Sequence, residues 1–229
     1  EGNTPKRDFV PCRNLNGEAG LWDKVEGKFY GNCGPGAFTT PAGILPREVT
    51  LPEGYTKLNW IGSSGTQYID TQYVPQAATQ VTAFFKPLER NENWAAFFSS
   101  LNDDSSQNAV SLRYYNNTCT INGMFCNAAY GEATTSGTYE DAFVVAALRR
   151  GVMIIDGARS GISTTAEPYQ GSLILFGERN GSQIRRQQAM RLFALMISEN
   201  GTVVHDYVPC RRDSDGVRGL YDLVAREFK

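Results

Sequence analysis

Residues 142–161, AFVVAALRRGVMIIDGARSG, decide the fold class. Two apolar runs rich in Val and Ile are separated by a polar Arg-Arg-Gly break, and the second run ends at the turn pair Asp156-Gly157. Runs of this length and composition, bounded by turn residues, predict consecutive β-strands near 142–149 and 152–156. Because the first run is apolar on both faces, we expect a central strand that is covered on both sides.

The same pattern recurs along the chain, with little helical periodicity. In residues 79–86, TQVTAFFK, the alternation places Val81, Ala83 and Phe85 on one face of a strand. Further strands are predicted near 56–61, 66–71, 94–99, 108–115, 118–121, 124–127, 173–177, 189–198 and 203–208. Many short strands between glycine-containing turns, such as Asp156-Gly157 and Asn200-Gly201, predict an all-β antiparallel sandwich or barrel.

The two ends of the chain repeat one another. Residues 7–29, RDFVPCRNLNGEAGLWDKVEGKF, match residues 205–228, HDYVPCRRDSDGVRGLYDLVAREF, with one inserted residue. A repeat spacing close to the size of a whole domain indicates tandem modules rather than a solenoid. We therefore expect residues 1–45 to be the closing segment of a preceding module. Residues 46–229 then form a complete module, which includes its own closing segment, residues 205–229.

Composition excludes several classes of function. A net charge of −2 and a pI near 5.6 give no basic surface for nucleic acid or anionic lipid. No apolar run reaches the roughly 18 residues of a membrane helix. A single His and the absence of a CxxC pair argue against a Cys/His zinc site. Cys12 and Cys210 hold equivalent positions in the repeat, where we expect small buried side chains.

A possible disulfide lies in residues 119–126, CTINGMFC. The pair Asn122-Gly123 predicts the tip of a type I′ hairpin. That turn would place Cys119 opposite Cys126 at a Cα separation of about 5.5 Å, which is within disulfide range. The sequence leaves both a bridge and two reduced thiols open.

Residues 51–75, LPEGYTKLNWIGSSGTQYIDTQYVP, resemble the opening of bacterial laminin-G-like or concanavalin A-like jelly-roll modules. The matching residues are Tyr55, Leu58, Trp60, Ile61, Ser64, Gly65, Thr66, Gln67, Tyr68, Ile69, Asp70, Thr71 and Pro75, with Trp60 in place of the usual Tyr. Residues 142–161 resemble the long central hairpin of the laminin-G-like domains. The repeated Asp-Phe-Val-Pro-Cys-Arg…Gly-Leu-Trp-Asp resembles the segment that closes such modules.

The resemblance implies a two-sheet antiparallel jelly-roll sandwich on a secreted or surface protein of several domains, here with an extra N-terminal segment. We interpret the shared residues as scaffold. Gly62 and Gly65 permit a tight turn, and Asp70 and Thr71 can bond their own backbone at a strand end.

The sequence does not favour catalysis. Glycosidases on this fold need two carboxyl groups about 5 Å apart, and no Glu-x-Asp-x-x-Glu stretch occurs. Glu140 and Asp141 are adjacent and would point to opposite faces of a strand. His205 is the only candidate base, and the first copy of the repeat has Arg7 there, which indicates surface variation. We therefore expect a protein that is not an enzyme.

A sugar-binding site needs fewer specialised groups than a catalytic site. Aromatic rings can stack on sugars while amide and carboxylate groups bond their hydroxyls. The candidate ligand-binding residues are Trp94, Asn102, Asp103, Asn108, Tyr114 and Tyr115. No cofactor is required, but Asp103 and Asp104 are candidate calcium ligands. The alternative is an ordinary polar hairpin loop beside outward-facing tyrosines.

We expect a binding or adhesion module of a secreted or cell-surface protein, with a glycan as its ligand. The first alternative is a structural spacer or protein–protein contact module, and the second is a glycoside hydrolase. The expected partners are a glycan or another surface protein, with neither nucleic acid nor a membrane span. The sequence does not set the oligomeric state.

Overall fold

A computed structural model gives the structure of the chain. It describes residues 6–7, 9–13, 19–23, 25–35, 49–101, 109–125, 133–164, 171–180 and 182–229. The chain divides into two compact units, residues 1–48 and 49–229, each treated by itself below. The regular structure in the described ranges is all β. Those ranges hold no helix long and apolar enough to span a membrane.

The smaller unit contains three strands: β1 (Phe9–Arg13), β2 (Ala19–Asp23) and β3 (Lys28–Tyr30). The larger unit begins with β4 (Tyr55–Lys57), β5 (Ile61–Ser64), β6 (Ile69–Asp70), β7 (Thr79–Pro87), β8 (Ala96–Ser99), β9 (Val110–Tyr114), β10 (Ile121–Phe125), β11 (Ala133–Thr134) and β12 (Val144–Arg149). It continues with β13 (Val152–Ile155), β14 (Ala158–Gly161), β15 (Ile174–Leu175), β16 (Glu178–Asn180), β17 (Gln183–Arg185), β18 (Ala189–Glu199), β19 (Thr202–Arg212), β20 (Arg218–Asp222) and β21 (Glu227–Phe228).

The larger unit is an antiparallel β-sandwich, which confirms the predicted fold class. One sheet has the strand order β14-β13-β12-β7-β18-β19-β20-β21, with β5 also paired to β18 and β4 to β19. The facing sheet has the order β11-β10-β9-β8-β15-β6, and β16 and β17 form a separate hairpin. As predicted, the apolar runs at 142–149 and 189–198 form interior strands, β12 and β18, rather than edges.

One apolar core fills the space between the two sheets. Val81, Ala83 and Phe85 of β7 all point into it, as the alternation predicts. Phe85 meets Phe97 of β8 with ring centroids 4.7 Å apart, so aromatic contact joins the two sheets directly. Such a core, closed from both sides, is the main source of stability for a sandwich.

Two of the predicted turns form as expected, and one prediction is wrong. Asp156-Gly157 joins β13 to β14 and Asn200-Gly201 joins β18 to β19, with positive φ at every position. Residues 122–123, however, lie inside β10, where they pair with Arg113 and Leu112 of β9. The Asn-Gly pair therefore does not form a hairpin tip.

Close packing between the two sheets, rather than a turn, requires glycine at position 123. A Cβ atom there would lie 2.6 Å from Met153 Sδ and 3.2 Å from Leu148 Cδ1, which belong to the facing sheet. The missing side chain thus lets the two sheets approach closely at this point. Asn122 is fully buried beside it, and its side chain bonds Thr134 and Arg113.

The predicted pairing of Cys119 with Cys126 loses its basis, because the chain between them runs along one strand. The ends of β10, Ile121 and Phe125, lie about 13 Å apart along such a strand. The Cys119 thiol is free and lies 3.6 Å from Glu140 Oε2. Cys126 itself lies outside the described residues.

Cys210 is fully buried, as expected from the repeat, whereas Cys33 is exposed. Burial raises the pKa of the Cys210 thiol to about 11. Because the thiolate is the reactive form, we expect iodoacetamide to modify Cys33 in the native protein and Cys210 only after unfolding. Mass spectrometry of peptides after timed labelling measures both rates.

Labelling in denaturant is the control, since every thiol should then react. The unfolded thiol ionises near pH 9 and the folded one near pH 11. The contribution of Cys210 to stability is therefore complete below pH 9 and is lost as the pH rises towards 11. Native labelling of Cys210 at the rate of Cys33 would contradict the burial.

The smaller unit repeats the backbone arrangement that ends the larger one. We call residues 7–30 the N-terminal clasp and residues 205–229 the C-terminal clasp. Both are antiparallel, and their strands pair in the same register. The equivalent pairs are Phe9–Asp23 and Tyr207–Asp222, Pro11–Leu21 and Pro209–Leu220, and Cys12–Gly20 and Cys210–Gly219. The sequence repeat is therefore also a repeat of backbone structure.

A buried aspartate occupies the same place in each clasp. Asp23 Oδ2 accepts a hydrogen bond from Arg7 Nη1 at 2.9 Å, and Asp222 Oδ2 lies 2.5 Å from His205 Nδ1. Each Oδ1 accepts the backbone N–H two residues further on, at 2.9 Å and 3.0 Å. The predicted surface position is confirmed for Arg7, which is exposed, but the prediction missed that the Arg and the His bind equivalent buried carboxylates.

A glycine also occupies the same place in each clasp, packed against an aromatic ring. A Cβ atom at Gly20 would lie 2.5 Å from Phe29 Cζ, and one at Gly219 would lie 2.6 Å from Phe228 Cζ. Only glycine leaves room for the ring to cross the strand. The two clasps therefore share a register, a buried carboxylate and a glycine–aromatic contact.

Candidate functional site

The structure brings together part of the predicted ligand site. Trp94 and Tyr115 meet edge to face, with ring centroids 5.1 Å apart. The Arg113 guanidinium lies over the Trp94 ring at 4.4 Å, a cation–π contact that holds the indole in place. Tyr115 is exposed and Trp94 half-buried, so this aromatic pair is open to solvent on one side.

Tyr114 lies elsewhere, because neighbouring residues of a strand face opposite ways. Its side chain is fully buried and meets Phe97 edge to face at 4.9 Å. Burial raises the pKa of its hydroxyl above the ordinary value. The structure thus makes Tyr114 a core residue. Asn102, Asp103, Asp104 and Asn108 lie outside the described residues.

A concave surface lies beside the start of β5. It is an open groove of about 570 Å³. The lining residues are Leu58, Asn59, Trp60, Ile61, Gly62, Gln67, Tyr68, Ile69, Phe176 and Arg218. Trp60 is 41% exposed and Tyr68 is 49% exposed, so two large aromatic side chains stand at the surface of one groove.

The pairing of β5 with β18 positions Trp60. Arg191 of β18 lies opposite Gly62, and its guanidinium covers the Trp60 ring at 4.6 Å. A Cβ atom at Gly62 would lie 3.0 Å from the indole, so glycine leaves space for the ring. The guanidinium stack restricts the side chain without burying it, which lowers the entropy cost of binding a ligand there.

The polar groups of the groove are oriented by local hydrogen bonds. Gln67 Oε1 accepts the backbone N–H of Ser64 at 2.8 Å and its hydroxyl at 3.1 Å. The amide nitrogen of Gln67 is therefore left to donate to a ligand. Arg218, at the start of β20, is exposed and carries the charge of the groove. No carboxylate is among the described residues that line it.

The scaffold interpretation of this stretch is confirmed for Asp70 and Thr71. Asp70 Oδ1 accepts the backbone N–H of Gln72 at 2.8 Å, and the Thr71 hydroxyl oxygen accepts that of Tyr73 at 3.2 Å. Trp60 and Tyr68 are exposed instead. Their alternation with buried Ile61 and half-buried Ile69 was the available signal, because it places both aromatic rings on the outer side.

Glu140 and Asp141, the adjacent acidic pair, bond different partners. Glu140 accepts the backbone N–H of Arg90 at 3.2 Å, whereas Asp141 pairs with Lys86 at 2.8 Å. Within the described ranges, no three His, Cys, Asp or Glu side chains gather as a metal site.

Glu178 is a fully buried carboxyl group in the larger unit. Its Oε1 accepts from Arg185 Nε and Arg186 Nη1, both at 2.9 Å. Burial raises the pKa of Glu178. Since the side chain is completely enclosed, a polysaccharide cannot reach this carboxyl group.

Comparison with known proteins finds likeness in structure but not in sequence. No family model and no characterised protein match the sequence. The chain is similar to the CBM40 of Ruminococcus gnavus IT-sialidase, with 12% identity and a TM-score of 0.43 over 62% of this chain and 90% of that one. It is also similar to mouse laminin alpha1 chain domains LG4-5, with 12% identity and a TM-score of 0.44.

The second match covers 77% of this chain and 49% of the laminin chain, so this protein spans about half of that structure. At such identities and TM-scores, neither likeness carries an argument about what this protein binds. The function must be inferred from the groove itself.

Proposed function

We propose that the protein is a non-catalytic binding module whose ligand is a glycan held in the groove of Trp60 and Tyr68. The observation that carries this proposal is the pair of exposed aromatic rings at one concave surface. An aromatic ring binds the apolar face of a pyranose, and planar amides bond its hydroxyls. Asn59 and Gln67 supply amides beside the rings.

The charge of the groove indicates which glycans bind best. Arg218 is exposed, and no carboxylate lines the groove among the described residues. A guanidinium recognises a carboxylate through two parallel hydrogen bonds, which a neutral sugar cannot offer. We therefore propose a glycan that bears an acidic sugar, presented outside the cell or at its surface.

A glycan array on the purified protein tests this function, followed by calorimetric titration of the best ligand. We expect Trp60→Ala and Tyr68→Ala each to weaken binding about tenfold or more, because each removes a stacking surface. Phe143→Ala is the matched control, since Phe143 is an exposed aromatic residue that does not line the groove. Its affinity should equal that of the natural protein.

A second pair of variants tests the acidic sugar. Arg218→Gln should reduce binding to acidic glycans and leave neutral ones unaffected, whereas Arg159→Gln, an exposed arginine of β14, should change neither. Loss of binding with Trp94→Ala but not with Trp60→Ala would move the site to the Trp94–Tyr115 pair. Release of reducing sugars during incubation with any glycan would contradict the non-catalytic assignment.

A further inference from the structure

The two clasps differ in one respect, the exposure of equivalent side chains. In the C-terminal clasp, Tyr207 is 1% exposed and Leu220 is 0% exposed. Their equivalents in the N-terminal clasp, Phe9 and Leu21, are 45% and 39% exposed. The same backbone arrangement thus hides these side chains at one end of the chain and leaves them open to solvent at the other.

The covering of the C-terminal clasp has a defined source. Tyr207 pairs with Leu195 of β18, and both Tyr207 and Leu220 belong to the core between the two sheets. β4 pairs with the end of β19, where Cys210 lies opposite Lys57. The C-terminal clasp is therefore completed by a sandwich that packs on one face and pairs with one edge.

Among the equivalent side chains whose exposure is described, one pair outside the strands does not differ between the two clasps. Val224 points away from the sandwich and is 49% exposed, and its equivalent in the N-terminal clasp, Val25, is 51% exposed. A clasp that was simply unfolded or differently packed would not show this selectivity. In addition, β1 is an edge strand of its sheet, so no other described strand occupies the edge of β1 that corresponds to the β4 edge of β19.

We propose that the N-terminal clasp closes a second sandwich of the same kind, which precedes it in the polypeptide. β1 takes the place that β19 holds between its partners, with Phe9 and Leu21 entering that sandwich's core. The preceding sandwich would recognise the N-terminal clasp by pairing a strand with the edge of β1 and by enclosing the apolar side chains of Phe9 and Leu21. Exposed apolar side chains next to an unpaired edge are otherwise a site of aggregation.

A graft tests whether the N-terminal clasp fits such a sandwich. In the full chain, residues 205–229 are replaced by a second copy of residues 7–30. We expect the grafted chain to unfold cooperatively, with a melting temperature lowered by no more than about 15 °C. The matched control carries Leu21→Asp in the grafted copy alone and should lack a cooperative transition, because it places a charge in the core. A graft no more folded than this control overturns the proposal.

A milder variant guards against failure of the graft at its junction. This variant introduces into the natural C-terminal clasp the residues that the N-terminal clasp has at three equivalent positions. The substitutions are His205→Arg, Tyr207→Phe and Tyr221→Trp. We expect the melting temperature to fall by less than about 10 °C, and loss of the folded state overturns the proposal.

Light scattering of the natural chain tests whether a second copy of this chain, instead of a preceding sandwich, covers the N-terminal clasp. A concentration-dependent dimer that Leu21→Asp abolishes would assign the N-terminal clasp to a second copy of this chain, and would also overturn the proposal. A monomer with an unchanged melting temperature in Leu21→Asp supports it.

Discussion

Gly219→Ala is expected to destabilise the sandwich by about 3 kcal/mol, which is at the upper end of the usual cost of overpacking. The added Cβ atom would overlap the backbone carbonyl oxygen of Lys229 and lie 2.6 Å from Phe228 Cζ. Backbone on one side and a ring on the other leave no flexible group to yield. Lys229 also forms both backbone hydrogen bonds with Leu220 that end the sheet, so relief of the clash breaks those bonds.

Urea denaturation followed by circular dichroism measures this effect as a fall in the midpoint at an unchanged slope. Gly161→Ala is the matched control, since Gly161 also lies in a strand but a Cβ atom there meets nothing within 4 Å. It should shift the free energy of unfolding by less than about 1 kcal/mol. Equal shifts for the two variants would show that the contact at Gly219 is not as tight as described.

Asp222→Ala, as a separate variant, should lower the free energy of unfolding by about 3–5 kcal/mol. The side chain is completely buried, and Oδ1 accepts the backbone N–H groups of Asp206 at 3.1 Å and Val224 at 3.0 Å. Oδ2 contacts His205 Nδ1. Truncation removes the fully buried carboxylate that accepts from these donors, and losing the acceptor of a partly buried donor costs more than a formed hydrogen bond returns.

Two variants separate the contributions in the same denaturation experiment. Asp222→Asn keeps an oxygen for the backbone donors but removes the charge facing His205, so it should lose about half as much stability as alanine. Asp213→Ala removes an exposed carboxylate that pairs with Arg211 at 3.3 Å and should cost less than about 1 kcal/mol. A loss for Asp213→Ala as large as that for Asp222→Ala would refute the assigned role of burial.

Local pattern was enough to predict the sheets. Alternation in residues 79–86 reflects burial of one face, which a strand imposes directly on its sequence. The mostly apolar residues 189–198, interrupted by Arg191, form the interior strand β18. Asp156-Gly157 and Asn200-Gly201 were recognisable for the same reason, since a tight turn constrains only its own residues.

The wrong predictions concern residues whose identity is set by contacts with distant parts of the chain. Gly123 is glycine because Met153 approaches from the facing sheet, and a reader of the local sequence sees only a turn pair. His205 and Arg7 look interchangeable at a surface until the buried aspartates 17 and 16 residues away become their partners.

The sequence predicted the types of residue in a binding site but not the position of the groove. An aromatic residue beside amides was expected near Trp94, and the structure does place Tyr115 against Trp94. The groove of Trp60 and Tyr68 depends on the pairing of β5 with β18 and on Arg218 from β20. Pairings between segments so distant in sequence leave no local signal.

The pairing of β4 with β19 has a consequence for how the protein is made. Thr56 donates a hydrogen bond to Asp213, 157 residues later in the chain. The pairing of β4 with β19 therefore cannot form until residues 210–212 have left the ribosome. Folding dominated by such distant contacts takes roughly milliseconds to seconds rather than microseconds. The final 25 residues, more than any earlier segment, set the moment at which the module becomes native.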